Sequence, residues 1–360
     1  MRQSLLQLLL VTLPAIAQSF VSTVPRLQQQ PTISARSSST PATTTGLRVA
    51  IPLEPPPGQG AIDDEDLREQ KRRARKLRKE REREERNSAV GKLKFKLLKQ
   101  LKAVAKDYEM LQDGDHIMVC VSGGKDSAAL LVLLMHLQEQ FRPIGVNFRL
   151  TAVHVDQKQP GYDGAPLVEW FDELGVDYEI IEEDTYSVVV DKTSAGKSYC
   201  TMCSRLRRGI LYSKALELGC NKLVLGHHAD DSLETLVLNM LHVGQLKAMP
   251  ARYTSRRGQL AVMRPLITCM EDDIAEYARL SEFPILPCNL CKNQNGLHRP
   301  QVKLLLNTLD SFTPDAKKNW LTSLSNVQPS HLLDQDLRRA VGMDPITGEE
   351  EEESEEQQAP

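Results

Sequence analysis

Acidic residues are missing from the first 53 positions of this 360-residue chain, and Glu54 is the first. Such a composition is that of a targeting segment rather than of a folded domain. The apolar run Leu5 to Ala17 is too short to span a bilayer comfortably, which argues against an anchor there. Excess charge is lacking too: 45 Lys and Arg against 48 Asp and Glu leave −3, which singles out no partner. No internal repeat is visible, so a solenoid is excluded. Two site patterns are also absent. The turn Gly123-Gly124-Lys125 lacks the Gly-x-x-x-x-Gly-Lys-Ser/Thr spacing of a Walker A loop. The two Cys-x-x-Cys pairs stand 84 residues apart, against about 15–20 in a zinc ribbon, which argues against a local finger.

What is present begins with the termini. Arg2 precedes the apolar run, which closes on Ala15-Ile16-Ala17, a signal-peptide layout. Ser19–Thr45 follows, rich in Ser, Thr and Pro with Arg26 and Arg36, like a transit peptide. Together they resemble the bipartite presequence of algae with complex plastids, with Phe20 near the junction. Residues 1–60 are therefore expected to be cleaved or disordered and the plastid stroma to be the destination. A mitochondrial presequence is the main alternative. Arg68–Arg86 carries eleven Lys and Arg against five acids, so 61–88 reads as a charged linker or helix. Glu349–Glu356 has seven glutamates in eight residues, and 338–360 reads as an acidic disordered tail. Between them, 89–337 is the folded core, and 41% apolar content suffices to bury one.

That core alternates strands and helices. Apolar runs predict strands at His116–Val121, Phe148–Val155, Tyr178–Ile181 and Lys222–Leu225. Helical periodicity predicts Ser127–Gln140, Ala165–Leu174, Ser204–Leu218 and Asp231–Leu241, with Gly175 and Gly219 as stops. Such alternation implies an α/β fold, a parallel sheet flanked by helices. Ligands in such sheets sit beyond the carboxyl ends of the strands. Ser122–Ser127, Asp156 and Gly226–Asp231 all follow predicted strands, so they are expected to converge on one cleft.

The chemistry of that cleft follows from residue type. Ser122-Gly123-Gly124-Lys125-Asp126-Ser127 lies between a strand and a helix, where backbone N–H groups and the positive helix end meet an anion. Lys125 offsets phosphate charge. Either Asp230 or Asp231 caps the next helix while the other holds Mg²⁺ against phosphate oxygens, and Asp231 is preferred for the metal. His227 and His228 pack or hydrogen-bond nearby. Lys125, Asp126 and Asp231 are the candidate catalytic residues. Ser122, Gly123, Gly124, Lys125, Asp126, Ser127, Asp156, Gly226 and His227 are the candidate nucleotide contacts. Cys200-Thr-Met-Cys203 and Cys288-Asn-Leu-Cys291 suit zinc or an iron–sulfur cluster equally by ligand type, with disulfides as the alternative in a secreted chain. Cys120, Cys220 and Cys269 read as packing residues.

Ser122–Ser127 resembles the PP-loop of the ATP pyrophosphatases. Taken with Asp156-Gln157-Lys158-Gln159-Pro160-Gly161, Cys200-x-x-Cys203-Ser204-Arg205-Leu206-Arg207-Arg208-Gly209, Gly226-His227-His228-Ala229-Asp230-Asp231 and Pro287-Cys288-Asn289-Leu290-Cys291, it resembles the tRNA 2-thiocytidine synthetases, the TtcA family. Asn326-Val327-Gln328-Pro329-Ser330-His331-Leu332 is similar to that family's C-terminal end. The likeness runs from about Lys92 to Leu337. The presequence, the acidic tail, Ala229 in place of a basic residue and Lys292 in place of glycine depart from the family pattern.

The resemblance implies an adenine-nucleotide hydrolase-like (PP-loop ATPase) fold and a two-step reaction. Mg-ATP adenylates the C2 oxygen of a cytidine in the tRNA anticodon loop, at position 32, with release of pyrophosphate; sulfur then displaces AMP. It also implies a [4Fe–4S] cluster held by Cys200, Cys203 and Cys288, with Cys291 spare or in sulfur relay. The implied partners are tRNA and a cysteine desulfurase or other sulfur donor; a homodimer is compatible, and no membrane partner is expected after targeting. Lys92, Lys94, Lys96, Lys99 and Lys102 interleave with apolar residues, and Arg205, Arg207 and Arg208 follow the first cysteine pair; both groups suit RNA phosphates or a solvated face. A related PP-loop enzyme acting on another base, and a non-catalytic RNA-binding or iron–sulfur scaffold, are the competing readings.

Overall fold

The computed structural model describes residues 72, 76, 84, 87–193, 199–255, 258–286 and 298–349; the side chains of Cys200 and Thr201 are outside the description. The presequence, most of the charged linker, Cys288, Cys291 and the tail from 350 onward lie outside the described residues.

Helix α1, Ala89–Asp107, begins where the Ser88 hydroxyl accepts the Gly91 N–H at 3.0 Å, which satisfies one orphan donor. It buries Leu97, Leu98, Leu101 and Val104. Then follow β1 (His116–Cys120), α2 (Lys125–Phe141), β2 (Arg149–Asp156), α3 (Ala165–Leu174), β3 (Asp177–Glu182), α4 (Thr185–Lys192), α5 (Cys200–Glu217), β4 (Lys222–Val224), α6 (Ala229–His242), β5 (Arg252–Thr254), β6 (Ala261–Met263), α7 (Glu271–Leu280), α8 (His298–Phe312), α9 (Ala316–Ser323) and α10 (Gln335–Ala340). No described helix is long and apolar enough to cross a membrane.

The six strands stand in the order β3-β2-β1-β4-β6-β5, all parallel except β5, which runs antiparallel to β6. The expected parallel α/β sheet is thus present, with two further strands that were not foreseen. Each of these is three residues long, too short to show a period. Strand alternation sorts the core into two layers. Ile117, Val119, Leu150, Ala152, Val224 and Met263 face one side, where they pack with Leu130, Leu134, Phe171 and Ile274. Met118, Cys120, Val153, Val155, Leu223 and Val262 face the other, where Leu211 and Ala215 of α5 cover them. Helices on both faces explain why β1 is apolar and buried throughout from Ile117 to Cys120.

Regular structure continues past 337, the boundary expected for an acidic tail. Helix α10 spans it, because Arg338 donates to the carbonyls of Ser330, Leu332, Pro345 and Ile346 and ties residues 330–346 into one turn-rich unit.

Candidate active site

β1 and β4 are neighbours from which the chain order runs in opposite directions, so their carboxyl ends form the crevice where ligands bind in open α/β sheets. The loop after β1 and the loop after β4 meet there. Gly123 takes φ +80°, and its carbonyl accepts the Leu286 N–H at 2.9 Å. Ser127 braces the turn, accepting the Ser122 N–H at 3.0 Å and donating to the Gly124 carbonyl at 2.9 Å. Helix α2 starts at Lys125, two residues earlier than its periodicity predicts, which places Lys125 and Asp126 in its first turn. Gly226 is required by contact: a Cβ there would stand 2.9 Å from the Ser127 nitrogen and 3.1 Å from the Asp126 carbonyl carbon. Backbone cannot yield at that distance, so only glycine lets the two loops close on each other.

A cavity of about 250 Å³ opens between them. One part of its lining is apolar, with Val153, Val155, Leu211 and Leu225; the other is polar, with Ser122, Asp126, Ser127, Gly226, His227 and Asp231. Gln157 and Arg207, which sequence alone did not mark as nucleotide contacts, complete the wall. Asp156 does not line it. Its carboxylate accepts the Lys158 N–H at 2.8 Å and pairs with the Lys158 ammonium at 3.2 Å, closing the turn after β2.

The two adjacent aspartates are separated by the fold. Asp230 is buried and joins helices: it accepts the Glu271 N–H at 2.7 Å and lies 3.1 Å from Lys317. Asp231 faces the cavity, accepts the His228 N–H at 3.2 Å and pairs with Arg299 at 3.2 Å. Helix capping therefore falls to Asp231 as well, alongside its place in the cleft.

Lys125 lies 3.2 Å from Asp126 and 3.0 Å from Glu271. Burial alone would lower its pKa, but Asp126 and Glu271 raise it, so the ammonium stays charged. Burial would likewise raise the Glu271 carboxyl, yet Lys303 at 2.6 Å and Lys125 hold it down at about 2. Burial drives His227 down to about 4 against the pull of Asp231, so the ring is neutral at neutral pH. Asp126 Oδ1 and His227 Nδ1 are buried and make no hydrogen bond among the described residues; the lysine beside Asp126 Oδ1 is near in distance but off the bonding angle. A buried carboxylate oxygen left unbonded is available to a cation.

Helix α5 begins at Cys200, four residues before the predicted start, which sets Cys200 and Cys203 in its first turn. Cys203 is buried and free of any disulfide. Its thiol donates to Gln157 Oε1 at 3.2 Å and receives Arg207 Nη2 at 3.5 Å, so both of its partners are cavity-lining residues. Leu286, two residues before Cys288 in the sequence, is fastened to the turn at Gly123.

Comparison with known proteins agrees with this layout. A family model described as a PP-loop domain matches residues 93–285. The chain is 50% identical over 250 residues to a tRNA-cytidine(32) 2-sulfurtransferase of Pseudoalteromonas atlantica, covering 69% of this chain and 78% of that protein. It is 47% identical over 267 residues to one of Idiomarina loihiensis, covering 74% and 88%. Among solved structures, the U34-tRNA thiolase NcsA of Methanococcus maripaludis, determined with its [4Fe–4S] cluster, shares the fold at a TM-score of 0.50 and 23% identity, over 63% of this chain and 77% of that one. On its PP-loop domain and its identity to these relatives, the chain belongs to the tRNA-cytidine(32) 2-sulfurtransferase family.

Proposed function

We propose that the protein catalyses ATP-dependent 2-thiolation of cytidine 32 in the tRNA anticodon loop. The observation that carries this reading is the cleft itself. A glycine turn and a helix start, held against Gly226, adjoin an apolar wall, and a buried cysteine stands behind two of the lining residues. The apolar lining suits an adenine, and the Ser122–Ser127 N–H groups with the start of α2 suit the phosphates. The cytidine O2 bonds to the α-phosphorus, the bond from that phosphorus to the bridging oxygen breaks, and its electron pair leaves on pyrophosphate. Sulfide-level sulfur then adds to C2, the C2–O bond breaks and its electron pair leaves on AMP; sulfur supplied as a persulfide first takes up two electrons from an external thiol. Lys125 places a positive charge against the triphosphate. Asp231 and the unbonded oxygen of Asp126 fit Mg²⁺, a hard cation that prefers carboxylate and phosphate oxygens.

Cys200, Cys203 and Cys288 would hold a [4Fe–4S] cluster, and the free, buried thiol of Cys203 suits that donor set. When bound, the cluster supplies an iron position for the incoming sulfur. Gln157 and Arg207 orient the Cys203 thiol toward the cleft and brace the cavity wall. Sulfur from a cysteine desulfurase, tRNA as the second substrate and import into a plastid by residues 1–60 complete the proposal. A fluorescent fusion of those residues that stays cytosolic would remove the last element.

The test is anaerobic purification of the full chain, iron and sulfide analysis, and a thiocytidine assay with ATP, tRNA, a persulfide donor and a thiol reductant. Expected are about four irons and four sulfides per chain, with thiocytidine formed by the unaltered chain and not by Lys125→Ala. Stoichiometric zinc would overturn the cluster. Pyrophosphate release without any thiocytidine would redirect the reading to a tRNA adenylating enzyme of another kind.

A further inference from the structure

Helix α8 brings two cations to the rim of the cleft. Val302 and Leu306 bury against Leu233 and Val237 of α6, which fixes the rotation of the helix. That register sends Arg299 and Lys303, four residues apart and hence on one face, toward the acids of the site. Arg299 pairs with Asp231 at 3.2 Å and with Glu234 at 3.7 Å. Lys303 bonds Glu271 at 2.6 Å, and the other oxygen of that carboxylate holds Lys125 of the glycine turn at 3.0 Å. Both α8 side chains are about half exposed, at 48% and 47%. Lys317 of α9 is 12% exposed and fixed on the buried Asp230, where it serves to join helices.

Charge decides what these two residues are for. Asp126 and Asp231 line the cavity, Glu234 and Glu271 are tied to it through Arg299 and Lys125, and a polyanion entering among carboxylates is repelled. Lys125 and Arg207 together do not balance four acids. Arg299 already pairs with Asp231, which lines the cavity, and Lys303 shares the Glu271 carboxylate with Lys125 of the glycine turn. A guanidinium fork matches a phosphate as well as a carboxylate.

Resting on the ATP-splitting reading, we propose that Arg299 and Lys303 are ligands of the pyrophosphate leaving group. They exchange Asp231 and Glu271 for the β- and γ-phosphates, so that the electron pair released when the bond at the α-phosphorus breaks falls on an oxygen beside two cations. The exchange also frees the Asp231 carboxylate for the metal that accompanies the nucleotide.

Calorimetric titration of the full chain with inorganic pyrophosphate, α,β-methylene-ATP and AMP tests this. Arg299→Gln and Lys303→Gln should each weaken pyrophosphate and the ATP analogue about tenfold, leave AMP within about twofold, and lower pyrophosphate release accordingly. Arg299→Lys should recover part of the loss. Equal affinities in all variants, or AMP weakened as much as pyrophosphate, would overturn the proposal. Because removing Arg299 leaves Asp231 and Glu234 uncompensated, Lys303→Gln supplies the same comparison if that variant does not fold. An unaltered chain that binds neither pyrophosphate nor the analogue would instead overturn the ATP reading beneath it.

Discussion

At the amino ends of β1 and β4, Lys222 meets Asp115 at 2.6 Å, with 5% and 3% of the two side chains exposed. Asn221 donates to the other oxygen of Asp115 at 2.8 Å, and the Gln112 N–H adds a third bond. At the carboxyl ends of the same strands, Lys125 is 27% exposed and divides itself between Asp126 and Glu271 at 3.0–3.2 Å. Both are lysine–carboxylate clusters on one sheet. The lower one is closed: both charged side chains are buried, and the two oxygens of Asp115 accept three hydrogen bonds between them. The upper one is open: Lys125 stands farther from its partners, its side chains are more exposed and one oxygen of Asp126 is unbonded. A closed pair holds the strands in register, whereas an open one can exchange partners with a ligand at small cost. Stability and chemistry are thus placed at opposite ends of the sheet.

The comparison breaks most visibly at the lower end. Asp115→Ala strands a buried ammonium and should cost about 3–5 kcal/mol in urea unfolding, with no change in the ATP affinity of the folded protein. Lys125→Ala should do the reverse. Thiocytidine formation should fall at least about a hundredfold, roughly 2.7 kcal/mol in the activation barrier, while the unfolding midpoint moves little. His227 sharpens the contrast through pH. Its folded pKa of about 4 lies below the ordinary 6.5, so the unfolded chain takes up the proton first. Stability is then lost as pH falls from about 6.5 toward about 4, by about 2 kcal/mol at pH 5. Urea titrations at pH 7.5 and 5 should show that loss in the unaltered chain and not in His227→Gln. The smallest effect belongs to Lys96, whose pair with Asp273 at 2.6 Å joins α1 to α7 at the surface. Lys96→Ala should cost less than about 1 kcal/mol, because solvent screens an exposed pair.

The strands β1 to β4 and the helices α2, α3, α5 and α6 were legible because apolar runs, glycine stops and periodicity agree over these segments. Their convergence on one cleft was legible because each motif follows a strand in a parallel sheet. β5 and β6 escaped notice because three residues carry no period. The starts of α2 and α5 were placed late because Lys125-Asp126 and Cys200-Thr-Met-Cys203 are not apolar, and a polar first turn looks like loop. Glu271, Arg299 and Lys303 were not singled out at all. They lie 40 to 72 residues beyond the last nucleotide motif, on faces that in sequence look like ordinary solvated charge.

Two adjacent aspartates mark where reading the sequence ends. The pattern Gly226-His227-His228-Ala229-Asp230-Asp231, on its own, establishes that a helix begins there and that carboxylates stand near a phosphate. Only the tertiary structure assigns one to hold helices and the other to face the cavity, because successive side chains in a helix turn by about 100° and meet different neighbours. Likewise the glycine turn and the cysteine pairs, being local chemistry, were determined by the sequence itself. The partners of Lys125 were not, since they are contributed by segments up to 146 residues away whose approach depends on how the helices pack on the sheet.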